Sequence, residues 1–416
     1  MTTWRPNMKI IRSSAGFILI LLASHAFAHG LASEPVEIDE DRKIVFPDTQ
    51  QYKTIVLDAH THSVFSDGHV WPRIRIGEAQ RDGLDAIAIT EHLEWQPHLE
   101  DIPHPDRNRS YDEAVSAAEG SDLIVIPGSE ITRGPPASHI NAIFINDANK
   151  LVKVTPPDDP YDPRAYSMQV SEWPAQEAIK AANDQGAFLF WNHPYWPRDF
   201  PNGIAEIPEF HISNAKNGLL HGIEIVNGSG YSEETFQIAL DHNLTLMGVS
   251  DVHNLIDWDY EPHKGGHRPV TLVLAEERTI DSIREALFDK RTVVWFKNML
   301  IGRPEHLNPL LRSSLQIDSA TYPEKWEVLV VTLSNNSDAD FQLLNKSDYT
   351  FYTNTDLIEV PAHETVKLYV KTGEKVEHIE LTFEVLNALT APKQTASITM
   401  RAVVEKDDEA GDDKSG

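Results

Sequence analysis

Short apolar runs alternate with amphipathic stretches from residue 54 to about residue 300. The runs cover 54–59, 85–90, 122–127, 140–145, 187–192, 222–227, 245–250 and 270–274. Most are continuous rather than alternating, as in strands buried on both faces. Between them, 73–82, 111–119, 172–185, 232–242 and 279–289 carry helical periodicity. This alternation predicts a parallel α/β sheet covered by helices. Seven or eight such units predict a closed or distorted barrel over 54–308, with an open doubly wound sheet as the alternative. Residues 155–164 and the Trp- and Pro-rich 194–201 read as loops that shape a pocket mouth.

After residue 308 the pattern changes. Trp326 to Leu333, Thr365 to Val370 and Ile379 to Val385 are β-type runs, with turn residues such as Asn335-Asn336-Ser337-Asp338 between them. They predict an all-β module over 309–405, most simply a small sandwich. Residues 29–53 read as an extended acidic lead-in and 406–416 as a solvated acidic tail.

The first 28 residues change the expected compartment. Arg5, Lys9 and Arg12 precede the apolar run from Ala15 to Ala23, and Ala26-Phe27-Ala28 offers a small-x-small cleavage site, the pattern of a cleavable signal peptide. That run is too short to span a bilayer comfortably, although an uncleaved tether is the alternative. The expectation is a periplasmic or secreted protein with no stable membrane insertion after cleavage. There is no cysteine, so stability must come from core burial and bound metal, and every metal ligand must be His, Asp or Glu. A formal net charge of −28 argues against nucleic acid as a partner. It leaves a small molecule, with room for a homo-oligomer.

The candidate chemistry begins at Asp58-Ala59-His60-Thr61-His62, where two histidines two apart follow an apolar strand and so aim at one point. Polar residues recur at the other strand ends. Ser66-Asp67-Gly68 follows the pair, Glu91-His92 ends 85–90, and Gly128-Ser129-Glu130 follows 122–127. Asn192-His193-Pro194 and Asp251-Val252-His253 end two more runs, whereas His139 precedes its own. In a parallel barrel the strand ends meet on one rim, where such folds carry their chemistry. With 19 histidines in the chain, each alone is more readily structural than ligating; the set at strand ends is not.

These motifs resemble those of the PHP (polymerase and histidinol phosphatase) family, over residues 54–300. The resemblance implies a distorted seven-stranded β/α barrel with two or three divalent metals. His60, His62, Glu130 and Asp251 would hold one metal. Glu130 would bridge to a second, also held by His139 and His193, and Asp67, His92 and His253 would hold a third. Glu91 stands where the family more often has Asp, and would orient a ligand rather than bind metal. The signal, Ser66 to Pro72, Gly266 to Pro269 and the β module also resemble an exported organophosphate phosphodiesterase branch.

Imidazole mixed with carboxylate suits Mn, Zn or Fe. The implied function is an exported metal-dependent phosphoesterase, a diesterase before a monoesterase. A metal-bridging hydroxide would attack phosphorus in line, with Glu130, Asp251 and His253 as the catalytic residues. A phosphomonoesterase of histidinol-phosphatase type and a non-catalytic metal- or substrate-binding protein are the alternatives. Arg268, His267 and His69 are candidate substrate contacts: a cation after Asp251-x-His253 could clamp a phosphate or pair with a carboxylate. His69 and His98 are candidate proton donors. Trp71, Trp95, Trp196 and Trp258 are candidate walls for an ester group.

Overall fold

The computed structural model describes residues 42–155 and 157–405. The signal pattern, the first half of the lead-in and the acidic tail lie outside these residues. Seven of the apolar runs become the barrel strands β1 (Lys53–Asp58), β2 (Ala86–Ile89), β3 (Ile124–Thr132), β4 (His139–Ile143), β5 (Phe188–Trp191), β6 (Gly222–Asn227) and β7 (Thr245–Val249). Pairing is parallel from β1 to β3, antiparallel on both sides of β4, and parallel again from β5 to β7. The ring closes at the strand ends: Thr61 bridges Val252, His62 N donates to Val252 O at 3.1 Å, and Asp251 N donates to His60 O at 3.0 Å.

Side chains alternate across this wall. Ile55, Leu57, Ala86, Ala88, Ile126, Phe188, Phe190, Met247 and Val249 share one buried cluster. Their neighbours Val56, Ile87 and Ile89 join another with Ile76 and Ala79 of α1 (Pro72–Arg81) and Ala114 and Ala118 of α2 (Arg109–Ala118). The predicted 172–185 helix starts later than expected, and a separate, unpredicted helix precedes it. Pro174 cannot continue a helix, so α3 (Pro163–Ser171) ends before it and α4 (Ala175–Asn183) starts after it. Asp162 caps α3 by accepting from Arg164 N at 2.9 Å and Ala165 N at 3.1 Å, inside what the sequence reads as loop.

The eighth run, β8 (Val270–Ala275), is antiparallel to β1 and is not an eighth barrel stave. Only a one-turn helix, Ile256–Asp259, and a short 3₁₀ turn separate it from β7, too little for a parallel crossover. β9 (Thr292–Phe296) and β10 (Met299–Gly302) extend the sheet outward.

The helix Pro304–Ser314 runs through position 308, where the sequence changes character, and leads into the β module. One sheet of the module joins β11 (Leu315–Thr321), β12 (Val328–Asn335) and β15 (Thr365–Lys371). The other joins β14 (Leu357–Val360), β13 (Phe341–Asn345), β16 (His378–Ala391) and β17 (Gln394–Val403). Strand β12 alternates between buried and half-buried positions, as one sheet of a sandwich should. No helix among the described residues is long and apolar enough to cross a membrane.

Candidate metal centre

The closure of β1 on β7 places His60, His62, Asp251 and His253 side by side. His60 Nε2 and His62 Nε2 lie 2.9 Å apart, and each is 3.1 Å from Asp251 Oδ1. Glu130 Oε2 stands 3.6 Å and 3.5 Å from the same two nitrogens. Next to this group, Asp67 Oδ1 is 3.1 Å from His253 Nε2 and 3.3 Å from His92 Nε2. On the other side, Glu130 Oε1 is 2.7 Å from His139 Nδ1 and 3.9 Å from His193 Nε2. All nine sequence-derived candidates thus meet on one rim. His92 lies between two of the groups, its Nδ1 also 2.6 Å from Glu130 Oε2.

His139 finds its place through strand direction. Because β4 runs antiparallel to β3, its first residue lies at the rim where β3 ends, and Thr132 pairs with His139. Asp67 is set by a tight loop in which Gly68 N donates to Ser63 O at 3.0 Å. A Cβ at Gly68 would lie 2.7 Å from the His62 carbonyl carbon, so only glycine allows the loop to fold back this closely. Glu91 belongs to none of the groups whose ligand atoms lie close together. It accepts from Ser63 N at 3.1 Å and from the Ser63 and Ser66 hydroxyls, and Ser66 Oγ lies 3.2 Å from His62 Nδ1.

The donor set fits divalent cations. Asp67 Oδ1, Glu130 Oε2 and Asp251 Oδ1 are buried without a hydrogen-bond partner, although each faces imidazole nitrogens. Three subsets have ligand atoms close enough to share an ion: His62, Asp67, His92 and His253; His60, His62 and Asp251; and His92, Glu130 and His139. The ionisation pattern agrees. Burial disfavours charge on His60, but Asp251 and Glu224 beside it hold that imidazole well above its usual range. Burial together with the nearby His253 and His92 pushes His62 down to about 3, and burial lowers His193 to about 4. Glu130 and Asp251 are held well below the usual carboxylate range by the imidazoles, against the opposing effect of burial. Positive charge is drawn to this cluster, and not every imidazole can supply it.

A cavity of about 1120 Å³ opens over these groups, walled by Trp95, Arg133, Pro135, Tyr195, Trp196 and Arg198. Trp196 packs edge-on against His139 and His193, at 5.5 and 5.2 Å between ring centroids. Arg133 pairs with the buried Glu94 at 3.0 Å. Burial raises Glu94 to about 7, against the opposing pull of that guanidinium.

The three substrate-contact candidates fare differently from the nine candidate ligands. Arg268 is corrected: its guanidinium is fully buried, with Nη2 2.6 Å from Asp82 Oδ2 and Nη1 3.2 Å from Asp58 Oδ2. Two carboxylates beneath the rim compensate its desolvation, and it cannot reach the cavity. His267 is corrected as well. It stacks flat on Trp295 at 3.4 Å, donates from Nδ1 to Arg268 O at 2.9 Å, and faces a separate cavity of about 500 Å³. His69 is exposed with Nδ1 2.6 Å from Asn254 Oδ1, and the cavity lining does not include it. His98, Trp71 and Trp258 also lie outside that lining.

Sequence reasoning missed Arg133, Glu94 and Glu224. Glu224 did leave a signal, as the one charge in the otherwise apolar run Gly222–Asn227.

The profile of an Ig-like domain family matches residues 315–401. A two-domain protein from Bacteroides vulgatus, containing a predicted PHP-like metal-dependent phosphoesterase, is 35% identical with a TM-score of 0.76, over 86% of this chain and 98% of that one. A protein from Bifidobacterium adolescentis, predicted to be a metal-dependent phosphoesterase, is 20% identical over 56% of this chain and 95% of its own, with a TM-score of 0.37. Among curated proteins, an uncharacterized protein of Methanocaldococcus jannaschii is 34% identical over 87 residues, 20% of this chain. That match spans only 36% of the relative's length.

Proposed function

The chain belongs to the PHP-like metal-dependent phosphoesterases, and we propose that within this family it hydrolyses phosphodiesters outside the cytoplasm. The observation that carries the hydrolytic reading is the set of three buried, unpartnered carboxylate oxygens on Asp67, Glu130 and Asp251, ringed by six imidazoles. The nine residues would hold divalent cations, with Mn, Zn or Fe matching the oxygen and nitrogen donors. Bound there, such cations supply an acidified water and neutralise charge on the phosphoryl oxygens.

The chain's own residues do the rest. Glu130, central to the cluster, keeps both oxygens turned to imidazoles. Asn192 Nδ2 holds one of them at 3.0 Å. Asp251 O accepts from His253 Nδ1 at 2.8 Å, which leaves His253 Nε2 directed at Asp67. Trp196 and Tyr195 keep bulk water from one side of the cavity, and Arg133 and Arg198 give its wall positive charge. The cavity is far larger than a phosphate group needs, which supports an ester with a second organic arm. The chain's negative charge favours the singly charged diester over a doubly charged monoester, and a small molecule over nucleic acid. Export rests on the signal pattern in residues 1–28 alone.

Purified protein loaded with Mn or Zn is expected to hydrolyse bis(p-nitrophenyl) phosphate faster than p-nitrophenyl phosphate. Faster monoester turnover would reverse the ranking. His60→Ala should lower kcat/KM by more than about 100-fold, and unchanged turnover in that variant would exclude the cluster as the catalytic centre.

A further inference from the structure

We propose that Glu224 is the positioning residue of this centre: a single buried carboxylate that fixes ligands arriving from three different strands. The inference rests on the reading of the cluster as a metal centre.

Glu224 is fully buried at the middle of β6. Its Oε1 lies 2.7 Å from His60 Nδ1, while Oε2 accepts from the backbone N of His193 at 2.7 Å and from Asn227 Nδ2 at 2.9 Å. Asn227 Nδ2 also donates to Asp251 Oδ2 at 3.1 Å. Each contact has a consequence for a ligand. A carboxylate on Nδ1 selects the tautomer of His60 that leaves the Nε2 lone pair directed at the cluster. His193 has φ +29°, a conformation that L residues rarely adopt, and its N–H is tied to Glu224. Asp251 has φ +49°, and Asn227 occupies its Oδ2, so Oδ1 is the oxygen turned inward. Backbone in these regions persists only where its surroundings over-determine it.

The rest of the centre is held differently. His62 is backed through Ser66 by Glu91, His253 by the Asp251 carbonyl, and His92 has Thr132 Oγ1 at 2.6 Å from Nδ1. None of these hydrogen bonds involves Glu224. Its loss should therefore weaken binding around His60, His193 and Asp251 and spare the group of Asp67, His92 and His253. An acid is required, because three donors converge on its two oxygens. An amide would turn its own N–H toward at least one of them.

The test is Glu224→Gln, dialysed to equilibrium against graded Mn or Zn, with bound metal per chain measured by elemental analysis. Melting temperatures are recorded with and without metal. The expected variant melts somewhat lower than the wild type in its metal-free form, because buried donors lose an acceptor, and the gap widens when metal is supplied. It needs about 10–100-fold more metal to bind the part of the complement that it loses. The remainder still binds at the wild-type concentration. Equal loss of melting temperature in both forms, with unchanged metal per chain, would make Glu224 merely structural and overturn the proposal. Should the variant fail to fold, Asn227→Ala decides, since it cuts only the Asp251 branch. A smaller rise in the metal requirement supports the proposal, and wild-type binding overturns it. Wild-type protein that binds no metal would instead remove the metal-centre reading beneath it.

Discussion

In a chain with 64 acidic residues against 36 basic ones, a buried guanidinium finds carboxylates before any substrate reaches it. Arg268 lies between Asp58 and Asp82, and Asp58 in turn accepts from Ser250 N at 3.1 Å and Ser250 Oγ at 2.6 Å. The pair therefore ties the end of β1 to the end of β7 directly beneath His60 and Asp251. Removing one member of a buried ion pair leaves an uncompensated charge, so Arg268→Ala should cost about 3–5 kcal/mol of stability. Urea unfolding of metal-loaded protein reads this loss. A variant of unchanged stability with a raised KM would instead return Arg268 to the substrate. At this scale most of the candidate ligands were legible because they stand at or just past the end of an apolar run, while His139 opens its own. The partners of Arg268 were not, because 210 and 186 residues separate it from them and local pattern carries no trace of so distant a contact.

Strand direction explains what the elements revealed and what they hid. Apolar runs located the barrel strands, but β3 continues to Thr132, past its apolar run and through the motif Gly128-Ser129-Glu130. Read as ending at 127, it leaves a gap before 140 long enough for a crossover. In the structure only residues 133–138 connect it to β4, which forces a reversal and brings His139 to the rim. A second elemental feature concerns α5 (Glu209–Lys216), whose His211 stacks on Trp191 of β5 at 4.3 Å between centroids. Burial pushes that imidazole down to about 3, with the Ala137 backbone offsetting only part of the effect. Between pH 6.5 and 3 the unfolded chain binds a proton there that the folded chain refuses. Stability is thus fully present above about pH 6.5 and is lost as pH falls through this window. Moving from pH 7 to pH 5 should cost about 2 kcal/mol through this group alone. His211→Phe should remove that part of the slope, as measured by urea unfolding at the two pH values. An unchanged slope would mean that His211 is protonated in the fold.

At the scale of the whole molecule, the barrel and the β module share structure. Strand β10 pairs in parallel with β16, setting Leu300 beside Ala388 and Ile301 beside Leu389. One apolar cluster joins Ile76 and Ile87 of the barrel and Val293 of β9 to Leu329, Phe341 and Phe383 of the module. The helix Pro304–Ser314 sits in that cluster with Leu307, Leu310 and Leu311 fully buried. The compositional change near residue 308 therefore marks a change of architecture and not a seam at which the chain could be cut. Burying an aliphatic side chain contributes about 1.5–3 kcal/mol. Stripping the module from Leu300, Leu307, Leu310 and Leu311 would consume most of the roughly 5–15 kcal/mol that holds a typical domain together. Barrel and module are accordingly expected to unfold in one transition, with matching calorimetric and van't Hoff enthalpies. A chain ending at Ser314 should not melt cooperatively at all. Two separated transitions in the intact protein, or a cooperative melt of the shortened one, would show that the shared cluster does not couple them. The metal rim lies on the same barrel, so metal binding should raise that single transition as a whole and not split it.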